Sequence, residues 1–244
     1  MTTLSPTSTG EPYRKINRGQ LVTLAEAALK VKNFRFARQV TMTWLSVYNS
    51  DLRVNVLLAR AMTGENKLAQ AYQVLERVCK RDPEYLEGQA ALADVQRRMG
   101  DHQKSITAIN LHILDGRESY EDVLPGWSHN LQEAFRLANE KKYDEANKIL
   151  HQVLGVEGDP VLAAILHLKI TKIREDLATT IKLADLYISR WPECLQFKLM
   201  YADALMEIGD EVKAVNLLHE CASKDVNGQT AVRLWGSDHA YRPL

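Results

Sequence analysis

Seven histidines and three cysteines are the residues of this chain best suited to hold a metal or act as nucleophiles. Their spacing argues against both roles. His102, His112, His129, His151, His167, His219 and His239 never fall in the H-x-x-x-H or H-E-x-x-H pattern that puts two imidazoles on one helical face. His219 and Cys221 are two residues apart and would leave a helix in nearly opposite directions. No Ser, Thr or Cys sits in a G-x-S-x-G turn. The glycines form neither G-x-G-x-x-G nor G-x-x-x-x-G-K, the loops whose amides cradle phosphate. Carboxylate pairs such as Glu118/Glu121 and Asp144/Glu145 read as ordinary solvated faces. The sequence thus predicts a protein that is not an enzyme, with no cofactor and no metal.

The remaining chemistry is that of recognition and compartment. Cys79, Cys194 and Cys221 are odd in number and lack a Cys-x-x-Cys pair, so they read as small apolar core residues in a reducing compartment. The opening MTTLSPTSTGEP has no apolar run of secretory length, and a cytoplasmic location is expected. The longest oily stretch, residues 161–166, breaks at His167 and Lys169, which predicts no membrane insertion. Lys plus Arg and Asp plus Glu are both 31, a balance that weighs against nucleic acid as a partner.

The elements that must carry any binding face announce themselves by period. Ala25, Ala59 and Ala93 are spaced 34 residues apart, and Ala37, Ala71 and Ser105 each follow twelve residues later. Units numbered 1 to 34 begin at Arg18, Leu52 and Leu86, then, after seven inserted residues, at Trp127, Val161 and Leu195. Position 8 is Ala25, Ala59, Ala93, Ala134, Leu168 and Ala202; position 20 is Ala37, Ala71, Ser105, Ala146, Thr180 and Ala214. Two antiparallel helices on a tight turn interlock only where the crossing side chains are small. Apolar residues recur at helical spacing, as in Val56, Leu57, Leu58 and Met62 followed by Leu68, Ala71, Tyr72, Leu75 and Val78. Gly100-Asp101 and Gly209-Asp210 occupy positions 15 and 16, where one helix must stop and the next begin. Pro83 and Pro192 both fall at position 32, beyond the second helix. These observations predict an all-α stack of about six helix-turn-helix units.

This pattern resembles the tetratricopeptide repeat (TPR) family over roughly residues 18 to 226. The resemblance is carried by Leu58-Ala59, Ala71 and Pro83, by Tyr143 and Ala146, and by Tyr201-Ala202, Gly209 and Ala214. It implies a right-handed α-solenoid whose concave face is lined by the first helix of each unit. Two departures stand out. Trp44 occupies position 27, where the family prefers a small residue. The fifth unit has Leu168 and Thr180 at both crossing points with His167 beside them, which predicts a splayed pair.

The resemblance also implies which residues meet a ligand: positions 2, 5, 9, 12 and 13 of each first helix, with 6 contributing. Carried over, they include Arg60, Asp94, Arg97 and Arg98 in a central band, Phe135, and Lys169 with Lys172 further along. Arginine grips a carboxylate with a two-pronged fork, so Arg60 and Arg97 are the expected anchors for an acidic side chain or chain end. The alternative is a solvated face whose charges pair among themselves, as Asp94 with Arg97 or Arg98. Phe135 either supports an apolar ligand group or packs between helices. The arrangement by which some members hold chaperone C-termini requires Lys, Asn and Arg where this chain has Val22, Glu26, Leu57, Glu87 and Ala91, and is absent.

The expected organisation is a disordered tail over 1–17, three units over 18–119, a connector over 120–126, three units over 127–226, and a cap or tail over 227–244. The connector is either a plain link, or a hinge, or a lip carrying Tyr120 and Trp127 over the groove. In the last segment, a short helix near 229–234 laying Leu234 and Trp235 on the final pair competes with a linear motif built on Trp235 and Tyr241. The expected function is a protein–protein interaction module, an adaptor or scaffold for a peptide or partner helix. Self-association through the repeat ends is the second reading, and an RNA-binding helical repeat the third.

Overall fold

The computed structural model describes residues 16–100, 129–154, 161–174 and 176–236. The segments over 1–15, 101–128 and 237–244 lie outside that description, and with them Ser105, Tyr120, Trp127 and Tyr241. Twelve α-helices and no strand occur among the described residues. In chain order they are α1 (Arg18–Lys30), α2 (Phe34–Leu45), α3 (Leu52–Gly64), α4 (Leu68–Arg81), α5 (Leu86–Arg98), α6 (His129–Asn139), α7 (Tyr143–Leu154), α8 (Val161–Ile173), α9 (Leu177–Arg190), α10 (Leu195–Glu207), α11 (Glu211–Lys224) and α12 (Gln229–Trp235). The 34-residue frame fits them closely. Each described first helix ends at position 13, at Lys30, Gly64, Arg98, Asn139, Ile173 and Glu207, and each described second helix starts at position 17.

The crossing residues explain the regularity. All eleven described occupants of positions 8 and 20 are at most 2% exposed, including Leu168 and Thr180. The fifth hairpin therefore accommodates its larger residues inside, with the Thr180 hydroxyl donating to the Asp176 carbonyl at 2.8 Å instead of facing an apolar wall bare. The turns repeat as faithfully. Position 15 is left-handed at Lys32, Asn66, Gly100, Lys141 and Gly209, with φ between 60° and 86°. Around it, the amides of Asn33, Lys67, Lys142 and Asp210 reach back to the carbonyls of Ala28, Met62, Leu137 and Leu205 at 2.8–2.9 Å. This is a glycine-type helix stop, filled by glycine in two of these five turns. Asn33, Asp176 and Asp210 then cap the second helices by accepting a hydrogen bond from a first-turn amide.

Helices α1–α5 and α6–α12 form two halves, each with its own interior. Leu52, Val56, Ala59, Leu75 and Val95 centre one apolar cluster and Leu150, Ile165, Leu168, Phe197 and Ala202 another. No apolar cluster of described residues draws members from both halves. Yet the halves touch. Lys169 of α8 donates to both oxygens of Glu84 at 2.8 and 2.7 Å, and Gln196 of α10 donates to the same carboxylate at 2.6 Å. At α12, Gln229 donates to Asp51 at 3.2 Å, Thr230 donates to Asp82 at 2.8 Å, and Arg233 is ion-paired with Asp82. In a regular open solenoid each repeat meets only its neighbours; here units one and two meet units five and six and the last helix. Leu234 and Trp235 of α12 pack on Leu195, Leu199 and Cys221 of the final pair.

Trp44 also finds its reason. Its indole donates to Asp51 at 3.1 Å. The fully buried Asp51 further accepts the fork of Arg18 at 2.6 and 2.8 Å and the Val54 amide at 3.2 Å. A small residue at position 27 would leave that carboxylate short of a donor.

Candidate functional site

Residues three and four apart on α3 and α5 face the same side, and the two helices lie side by side in consecutive units. Between them is a pocket of about 390 Å³ lined by Arg60, Thr63, Leu75, Ala90, Ala91, Asp94 and Arg98, with Phe34 closing one side. Gly64 permits this closure, because a Cβ there would lie about 2.5 Å from the Phe34 ring. The floor is apolar and the mouth is charged. Asp94 is occupied: Arg97 and Arg98 pair with it at 2.6 and 2.9 Å.

Arg60 differs. It is solvent-accessible and forms no ion pair with a described residue. Partial desolvation by the walls, followed by the like charge of Arg53, holds its pKa below the usual arginine value. A cation in that state is stabilised by any carboxylate that reaches it. Tyr85 and Glu26 supply only weaker, longer-range relief.

Most other charges on the first helices are paired off. Arg53 holds Glu26 at 2.5 Å and also pairs with Glu87. Lys172 holds Asp203 and Glu207 at 2.6 and 2.5 Å, and these contacts raise its pKa against the opposing cost of its burial, the largest single influence. Lys169 is taken by Glu84. Phe135 lies half-buried against the second half's core. Of the residues expected on the inner face, the structure therefore brings Arg60, Asp94 and Arg98 to one pocket with Arg97 at its edge. Phe135, Lys169 and Lys172 lie elsewhere, while Trp235 sits on the final helix pair and Tyr241 lies outside the described residues.

A second cleft, of about 500 Å³, lies between the halves, lined by Cys79, Pro83, Gln89 and Leu92 on one side and Leu162, Trp191, Pro192 and Cys194 on the other. Burial pushes both thiols up to about 12, so neither is a nucleophile at neutral pH. In the second half His167 is buried, with Nδ1 2.7 Å from the Tyr187 hydroxyl and the His151 ring at 4.8 Å. Among the described residues no three His, Cys, Asp or Glu side chains gather as a metal site would require. No helix among them is long and apolar enough to cross a membrane.

Repeat period, buried crossing points and left-handed position 15 recur wherever the residues of the hairpins are described. The chain has a TPR-like fold. No family model matches it, and no curated protein does. Among solved structures it is similar to a tetratricopeptide repeat protein from Parabacteroides merdae ATCC 43184, at 12% identity over 92% of this chain and 85% of that one, with a TM-score of 0.38. It is also similar to the P58(IPK) TPR domain, at 16% identity over 88% and 65% of the two chains and a TM-score of 0.39. A third is a chain of the APC/C hetero-tetramer Cut9-Hcn1, at 11% identity and a TM-score of 0.37; this chain is covered to 92% and that one to 42%. Likenesses this distant carry nothing about a ligand, and the TPR-like solenoid stands on its own periodicity and burial.

Sequence reasoning missed Asp51, Asp82 and Glu84, which join the halves. The available signal was the repeated Arg-x-Pro-Glu at 81–84 and 190–193, at the same positions of units two and five. An acidic residue beside the stop proline of a helix reads as solvated unless its hydrogen-bond partner, here up to 148 residues away, is known.

Proposed function

We propose that this chain is a non-catalytic protein-interaction module, and that its first half holds an extended peptide or a partner helix along the face of α3 and α5. TPR-like folds commonly serve this purpose. The reading is carried by one observation: Arg60, at the mouth of an apolar-floored pocket, has no ion-pair partner among the described residues, while its neighbours Arg53, Arg97 and Arg98 are already engaged. An acidic side chain or chain-terminal carboxylate, followed by a small apolar group for the Leu75–Ala91 floor, matches that chemistry. The three free, buried cysteines support a cytoplasmic setting.

Affinity capture from native lysate with the wild-type chain and with Arg60→Glu, read by mass spectrometry, tests the proposal. The expected outcome is loss of the main partner, with binding weakened about tenfold or more, the scale of one charge-assisted contact. Full retention of every partner by the variant would refute the anchoring. Self-association is the rival reading. It is favoured by Ile208, Val212 and Val215, which are 53%, 76% and 41% exposed at helical spacing on the last hairpin. Light scattering over a concentration series separates the two, since a strict monomer excludes the rival.

A further inference from the structure

The contact between the halves has a chemical polarity. The first half supplies acceptors, the carboxylates of Asp51, Asp82 and Glu84. The second supplies donors: the Lys169 ammonium, the Gln196 and Gln229 amides, the Thr230 hydroxyl and the Arg233 guanidinium. Among the described residues the exceptions are the Arg53 amide, which donates to Gln229 Oε1 at 3.2 Å, and Arg81, whose charge is near Glu193 and Asp225. Arg233 also lies over the Tyr85 ring, 5.4 Å from its centre. Asp82 is fully buried, and its Oδ1 has no hydrogen-bond partner among the described residues. Among the described residues no apolar cluster spans the halves, although apolar side chains of both line the cleft between them. An interface of this kind resembles a reversible contact between domains more than a shared core.

We infer that the acidic rim formed by Asp51, Asp82, Glu84 and the face of Tyr85 is a docking site for a helix presenting Gln-Thr-x-x-Arg, that α12 is its occupant, and that this contact is a clasp by which the two halves open and close. Gln-Thr-x-x-Arg occurs once in the chain, at 229–233. On a helix Gln229 and Arg233 lie one turn apart with Thr230 alongside, so a single face reads Asp51 and Asp82 together. The clasp borders the inner face: Tyr85 donates to Glu87 at 3.1 Å, and Glu87 pairs with Arg53. Closure therefore covers one end of the first half's binding face, a regulatory consequence that rests on the function proposed above. The clasp itself does not depend on it.

Small-angle scattering and amide exchange on the full chain, with no partner added, test the clasp. Glu84→Lys and Lys169→Glu should each enlarge the radius of gyration and speed exchange of the Arg53 amide at least tenfold. The double swap Glu84→Lys/Lys169→Glu should restore both values, as neither side chain is fully buried. Helical circular dichroism should be unchanged throughout. Single reversals that leave size and exchange at wild-type values, or a double swap that stays expanded, overturn the inference. If a reversal fails to fold, Gln229→Ala decides: it removes only the bonds to Asp51, Arg53 and Val226. A larger radius of gyration in that variant supports the clasp, and an unchanged one refutes it. Because Arg60 takes no part, a clasp that fails leaves the pocket proposal standing, and the reverse holds as well.

Discussion

His167 sits on a helix that is almost wholly buried, with its ring against Tyr187 and His151. Desolvation, and after it the nearby charge of His151, lower its pKa to about 4 from an ordinary 6.5. The unfolded chain then binds a proton between those pH values that the folded chain refuses, so stability is complete above pH 6.5 and is lost as pH falls toward 4. The loss is expected to reach at most about 3 kcal/mol. Urea midpoints followed across this range should fall for the wild type and stay flatter for His167→Gln, which can still bond Tyr187. Parallel curves would place the acid sensitivity elsewhere. At the same scale, Arg60 gains its meaning from its neighbours. Arg53, Arg97 and Arg98 carry the same charge and have spent it, which no inspection of residue type alone reveals.

Among the elements, the hairpin turn is the unit that repeats most faithfully and the one with most room for improvement. Lys32, Asn66 and Lys141 hold a left-handed backbone that glycine adopts without steric cost. Lys141→Gly should raise stability by about 0.5–1 kcal/mol and Asn66→Gly by less, since asparagine tolerates the region best. Thermal melts would show a rise of a few degrees, and a fall would mean that the turn is not under strain. Crossing points behave oppositely. Ala59 is fully buried, and Ala59→Leu should cost about 1–3 kcal/mol by forcing α3 away from its neighbours. Much of this was legible beforehand, because one packing rule acts on each unit and prints a 34-residue period on the sequence. The inner face was less so. Lys169 and Lys172 occupy the same kind of position as Arg60, and only coordinates reveal that Glu84, Asp203 and Glu207 have claimed them. Glu84 lies 85 residues from Lys169, and no period connects them.

For the whole molecule, two interiors joined through polar groups should lose structure separately. Leu168→Ala removes a fully buried side chain from the second interior at a cost of about 2–5 kcal/mol. Amide protection is then expected to drop across α8–α11 while α3 and α4 keep theirs; a uniform drop would mean one cooperative block. Asp51 adds a geometric consequence. Arg18, from the first described helix, and Gln229, from the last, rest on the same carboxylate. The polypeptide therefore traces a circuit rather than a line. A circular permutant in which a short flexible bridge spliced residue 236 to residue 16 should retain the native arrangement of helices.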